Sequence, residues 1–79
     1  MSTEKAILLN GILNFLDSEG HLTDMSGHYD INDSQVVAAL RGLEKQGYIK
    51  IIEAEDVEGI QLVCIMPYGS TFIKKGKFI

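Results

Sequence analysis

What this chain has little of narrows the reading first. It has a single cysteine, Cys64, so no internal disulfide is available; stability must come from packing, and a reducing compartment fits. No apolar run approaches the ~20 residues that span a bilayer. The opening Met1-Ser-Thr-Glu-Lys has no basic stretch ahead of an apolar one, so no signal peptide is expected and a soluble cytoplasmic protein is the default. Positive charge is scarce: Lys and Arg number 7 against 11 Asp and Glu, a net charge of −4. Affinity for nucleic acid comes largely from neutralising phosphates with Lys and Arg, so the broad basic footprint usual in a DNA-binding domain is missing. Repeats, low-complexity tracts and linkers are missing too, and residues 1–79 read as one domain. No Ser/His/Asp arrangement, glycine-rich phosphate loop or dinucleotide fingerprint appears, so no enzymatic role and no cofactor are expected.

What is present is an ordinary globular composition, 46% hydrophobic and 23% charged, in a chain small enough for its core to be marginal. The charge is unevenly placed. Residues 1–32 hold five acids and one base, residues 53–58 hold Glu53, Glu55, Asp56 and Glu58, and Lys74, Lys75 and Lys77 crowd the other end.

A first helix is expected over about Ser2 to Ser18, with Ser2 or Thr3 as cap, Glu4 near the positive end and Gly20 at the left-handed stop. Ala6, Leu8, Leu9, Ile12, Leu13, Phe15 and Leu16 cover about half its circumference, and Asn10, Asn14 and Asp17 lie opposite; that apolar face is wider than one contact needs. His21 and Leu22 form a short edge strand or connector. A second helix of about two turns is expected from Asp24 to His28, capped by Thr23. The turn Tyr29-Asp-Ile leads to Asn32 or Asp33 as the next cap, with Asn32 and Gln35 spaced as a capping box. A third helix runs to Gln46 and stops at Gly47, with Val36, Leu40 and Leu43 facing inward and Ala39 beside them.

Tyr48 to Glu53 and Ile60 to Met66 read as strands of a hairpin joined by a six-residue loop, Ala54 to Gly59. By alternation, Val63 and Ile65 point one way while Leu62, Cys64 and Met66 point the other, and Ile49 and Ile51 oppose Ile52. Both faces of the hairpin are therefore apolar. Pro67 opens a final short helix, Tyr68 to Lys75, closed by Gly76; Phe78 and Ile79 make an apolar tail.

This order of helix, helix-turn-helix, hairpin and short helix resembles the bacterial winged helix-turn-helix fold of small transcriptional regulators, over nearly the whole chain. Met25, Ser26, Tyr29 and Ile31 stand at second-helix and turn positions, Val36, Leu40 and Leu43 at inward third-helix positions, and Gly47-Tyr-Ile at the exit into the wing. Ile65-Met-Pro-Tyr-Gly-Ser-Thr-Phe-Ile matches the exit from it. The resemblance implies an α+β winged-helix fold in which the third helix enters the DNA major groove. Its outward residues here are Ser34, Gln35, Ala38, Arg41, Gly42 and Lys45. Gln35 suits adenine and Arg41 guanine; Ser34 and Lys45 suit phosphate. The departure lies in charge: residues 33–46 sum to zero, and the wing tip carries four carboxylates where the family usually has Lys or Arg.

Other groups suggest little chemistry. His21, His28 and Cys64 are too few and too scattered for a structural zinc site; His21 reads as an exposed connector, His28 as a helix-end residue and Cys64 as an inert buried thiol. Asp30-Ile-Asn-Asp lacks the glycine and the bidentate glutamate of a calcium loop and reads as helix caps. The wing carboxylates read as solvated, and Lys74, Lys75 and Lys77 as a solvated helix end. The wide apolar face of the first helix, the two-sided hairpin and the tail together predict a homodimer pairing through Leu9, Ile12, Leu16, Phe78 and Ile79. Two functions follow as expectations. One is double-stranded DNA binding as a dimer; the other is a protein-interaction module whose acidic wing meets a basic partner.

Overall fold

The computed structural model describes residues 2–53 and 59–79. They form α1 (Thr3–Glu19), a 3₁₀ turn (Met25–Gly27), α2 (Ser34–Lys45), β1 (Ile49–Ile52), β2 (Leu62–Ile65) and α3 (Pro67–Lys75), an α+β architecture of three α-helices and a two-stranded antiparallel hairpin. The expected third helix is thus α2. The loop proposed for Ala54 to Gly59 lies, save Gly59, outside the described residues.

Local chemistry explains most boundaries. The Ser2 hydroxyl accepts from the Lys5 N–H at 3.2 Å and starts α1; Gly20, at φ 71°, ends it with its N–H on the Leu16 carbonyl. The Asp33 carboxylate accepts from Gln35 and Val36 N–H, at 2.8 and 3.4 Å, so Asp33 is the cap of α2 and no Asn32–Gln35 box forms. Gly47, at φ 85°, turns the chain from α2 into β1. Pro67 opens α3, where its missing N–H costs nothing.

The second helix is the main departure. In place of two α-helical turns from Asp24 to His28 there is one 3₁₀ turn, and its cap is Asp24, whose carboxylate accepts from Ser26 N–H at 3.0 Å and Ser26 Oγ–H at 2.7 Å. Thr23 cannot serve as cap because it is already in the sheet: its N–H and C=O pair with Val63 at 2.8 and 2.9 Å. The short edge strand expected at His21 and Leu22 is this bridge, displaced by one residue.

The core lies between α1, α2 and the hairpin. Ile12, Leu13, Leu16, Met25, Leu40 and Val63 are fully buried, each stabilising the fold by about 1.5–3 kcal/mol. Ala6, Leu9, Val36, Ala39, Leu43, Ile49, Ile51 and Ile60 complete it, with Ile31 and Tyr29 packed at its margin. The register pairs Ile49 with Ile65 and Ile51 with Val63 on the core side, and Lys50 with Cys64 and Ile52 with Leu62 on the outer side. Cys64 is half-buried on that outer side, more open than a buried thiol.

The broad apolar face of α1 is used within the chain, because α1 packs on α2, α3 and β2 at once. Its polar side is also occupied. Asn10 clamps the tail twice, its Nδ2 donating to the Phe78 carbonyl at 2.9 Å and its Oδ1 accepting from Phe78 N–H at 2.8 Å. Asp17 Oδ1 accepts from the Ser70 hydroxyl of α3 at 2.7 Å. Among the described residues, no helix is long and apolar enough to cross a membrane.

Candidate nucleic-acid interface

The helix α2 is anchored on one side and open on the other. Val36, Ala39, Leu40 and Leu43 are buried, whereas Ser34, Gln35, Ala38, Arg41, Gly42 and Lys45 are all exposed. Twelve residues at 1.5 Å each give a rod of about 18 Å, long enough to lie across a major groove about 12 Å wide. The geometry thus brings the outward residues onto one accessible face.

Electrostatics restrict what that face can do. Arg41 forms an ion pair with Glu53 at the root of the hairpin; this hydrogen bond raises the already high guanidinium pKa further. Glu44 reaches the other way, its Oε2 accepting the β1 N–H of Ile51 at 2.9 Å, which satisfies a backbone donor on the sheet edge. At the N-terminal end of α2 the amides that would bind a phosphate are already taken by Asp33. A groove of ≈ 460 Å³ opens there between α1 and α2, with Glu4, Asp33 and Lys5 on its walls. Of the wing carboxylates only Glu53 is described; Glu55, Asp56 and Glu58 fall outside the described residues.

No family model, curated protein or solved structure matches this chain. Its function must therefore be argued from its own side chains.

Three of the expected dimer residues are corrected by the packing. Leu9, Ile12 and Leu16 are 5%, 0% and 0% exposed, consumed by this chain's own core, and a second protomer cannot reach them. Phe78 is half-buried among Tyr48 and Phe72, and Ile79 is exposed. The exposed apolar residue of α1 is instead Ile7, which lines the same shallow groove as Ile79. His28 is not at an α-helix end; it stacks on Phe15 with centroids 4.2 Å apart and planes 3° from parallel, and Tyr29 meets both rings edge-on. His21 is exposed, with Nδ1 2.6 Å from the Glu19 carbonyl oxygen. Asp30 accepts from Asn32 N–H at 3.0 Å, closing a turn before α2.

Sequence reasoning missed a second aromatic group beside α2. Tyr48 stacks on Tyr68, with centroids 4.9 Å apart and planes 22° from parallel, and also contacts Phe72 and Phe78. The available signal was the i, i+4 spacing of Tyr68 and Phe72, which puts both rings on one side of α3. Tyr48 belongs to no helix, so its place in the group depends on tertiary packing. Burial, then hydrogen bonding to Tyr68, pushes the Tyr48 phenol above its ordinary pKa.

Proposed function

We propose that this chain is a winged-helix-like domain that binds double-stranded DNA through the open side of α2, with the hairpin as its wing. The observation carrying this reading is that Ser34, Gln35, Ala38, Arg41 and Lys45 share one exposed face of a helix whose opposite face is locked in the core. Gln35 and Arg41 take base edges; Ser34 and Lys45 take phosphate. Glu53 then acts as a placeholder for Arg41. An exposed ion pair is worth about 0–1 kcal/mol, whereas a bidentate Arg–guanine contact discriminates by about 1–3 kcal/mol. Exchange is favourable at a matched base and unrewarding elsewhere, so the pair suppresses indiscriminate binding.

Fluorescence anisotropy with a random duplex at about 50 mM salt tests this. Arg41→Ala should weaken binding and Glu53→Gln should strengthen it. A duplex ignored by both the wild type and Glu53→Gln would remove the reading. That outcome favours the second one, a protein-interaction module for a basic partner, which the net charge of −4 supports. The homodimer expected from the sequence moves to the patch of Ile7 and Ile79. Ile7→Ser should then yield a monomer by sedimentation at high micromolar concentration.

A further inference from the structure

The cations of this acidic chain are sorted in space. Arg41 is committed to Glu53, but Lys45 lines a groove that reaches Tyr48 and Lys75 lines one that reaches Tyr68, the two rings of the aromatic stack. Lys45 and Lys5 stand on a groove of ≈ 370 Å³ that runs from Ala38 and Gly42 of α2 to Tyr48 and Phe78. Lys75 stands beside Tyr68 and Phe72 on a groove of ≈ 320 Å³. Among the described residues, neither groove has a carboxylate in its wall. In a chain with more acids than bases, that is a local reversal of sign.

The outer ring of the stack is unusual for an isolated domain. Tyr68 is 59% exposed although it stacks on Tyr48, so its uncovered surface is the second ring face and the edge. Phe72 and Phe78 also contact Tyr48, with centroids 5.2 and 5.4 Å away, so the stacked ring is held by several neighbours. An open π-face with lysine-lined grooves beside its stack suits a ligand that alternates flat rings with anionic charge. Single-stranded nucleic acid is that ligand: bases stack on aromatic faces while phosphates run along the positive groove.

We propose that the Tyr48–Tyr68 stack, with Lys5 and Lys45 in the groove at Tyr48 and Lys75 in the groove at Tyr68, is a binding platform for single-stranded nucleic acid. It shares Lys45 and the polyanionic class of the ligand with the duplex reading, but it is centred on the Tyr48–Tyr68 stack and does not use Arg41. One base covers the open face of Tyr68, and the neighbouring phosphates lie toward Lys45 and Lys75.

The test is anisotropy of a fluorescein-labelled 12-nucleotide oligothymidylate at low salt, with the full chain. Tyr68→Ala should weaken binding by about fivefold or more, the loss of one stacked base, and Tyr68→Phe should retain it. Lys75→Ala should make the salt dependence shallower by about 0.7 in log–log slope. Because the chain has three tyrosines and no tryptophan, oligonucleotide binding should also quench tyrosine emission, and Tyr68→Phe should lose much of that quenching. Circular dichroism of each variant checks that the fold is kept. Affinity unchanged within twofold in folded Tyr68→Ala would overturn the proposal. So would no binding by the wild type, or binding to anionic phosphatidylserine vesicles without binding to the oligonucleotide. Arg41→Ala separates the two readings: it should spare the single strand, so failure of duplex binding leaves this platform standing, and the converse also holds.

Discussion

Gly69 is the tightest point of the fold and supports a sharp stability prediction. A Cβ there would lie 2.2 Å from the Tyr48 carbonyl oxygen, 3.0 Å from its carbon and 3.1 Å from Ile65 Cγ1. The carbonyl is backbone and also accepts Met66 N–H at 2.9 Å, so it cannot swing aside. In Gly69→Ala, α3 must retreat from the Tyr48 backbone by about 1 Å, an overpacking that costs about 1–3 kcal/mol. Weakening the Met66 bond adds about 0.5–1.5 kcal/mol. Alanine's better helix propensity returns about 1 kcal/mol. The net is a loss centred near 2 kcal/mol, which for a domain this size lowers Tm by about 8–16 °C. The matched control is Gly42→Ala on the open face of α2, where a Cβ meets nothing within 4 Å. It should raise stability by about 0.5–1 kcal/mol. Thermal and urea unfolding followed by far-UV circular dichroism reads both. If Gly69→Ala were as stable as the wild type while Gly42→Ala behaved as stated, the close seating of α3 on Tyr48 would be wrong.

Other perturbations probe separate joints. Asp33→Ala removes the acceptor for two amides of α2 and should cost about 1 kcal/mol in the urea midpoint analysis. Asn10→Ala releases both bonds to Phe78, a loss of about 1–3 kcal/mol, and should speed amide exchange at Phe78 well beyond that at α2. Burial raises the Tyr29 phenol above its ordinary value of 10.0. The unfolded chain therefore ionises first: stability is intact below about pH 10 and falls as pH rises through the folded-state value. Tyr29→Phe should flatten that alkaline decline; an unchanged slope would assign it to Tyr48, whose phenol is also raised.

Elements with strong periodicity were legible. The α2 face shows as Val36, Leu40 and Leu43, and the hairpin faces as strict alternation in Ile49, Ile51 and Val63 against Ile52, Leu62 and Cys64. Punctuation at Gly20, Gly47 and Pro67 was equally clear, because each residue type carries a backbone constraint of its own. What failed was set by distant partners. Thr23 looks like a helix cap locally, but pairing with Val63, forty positions away, takes its backbone into the sheet. Asn10 and Asp17 look like a solvent face, but Phe78 and Ser70 occupy them. The same blindness produced the dimer residues: a helix apolar over half its circumference signals several contacts, and periodicity cannot tell whether they come from its own chain. Here α2, α3 and β2 supply them.

The scarcity of cations has a consequence that ties oligomeric state to function. On the open face of α2 a single protomer offers Lys45 to phosphate and Arg41 to a base edge, so about one phosphate is neutralised, and the salt slope should be only about −0.9. Binding that shallow is weak, and Arg41 must first leave Glu53. A duplex role therefore requires two protomers in adjacent major grooves about 34 Å apart, doubling the charge and the base contacts. The aromatic platform has no such requirement, because stacking adds affinity that salt does not screen. A chain that stays monomeric at high micromolar concentration would thus disfavour duplex recognition while leaving the single-strand platform intact. A dimer whose duplex affinity shows a slope near −1.8 would instead place α2 at the centre of its function.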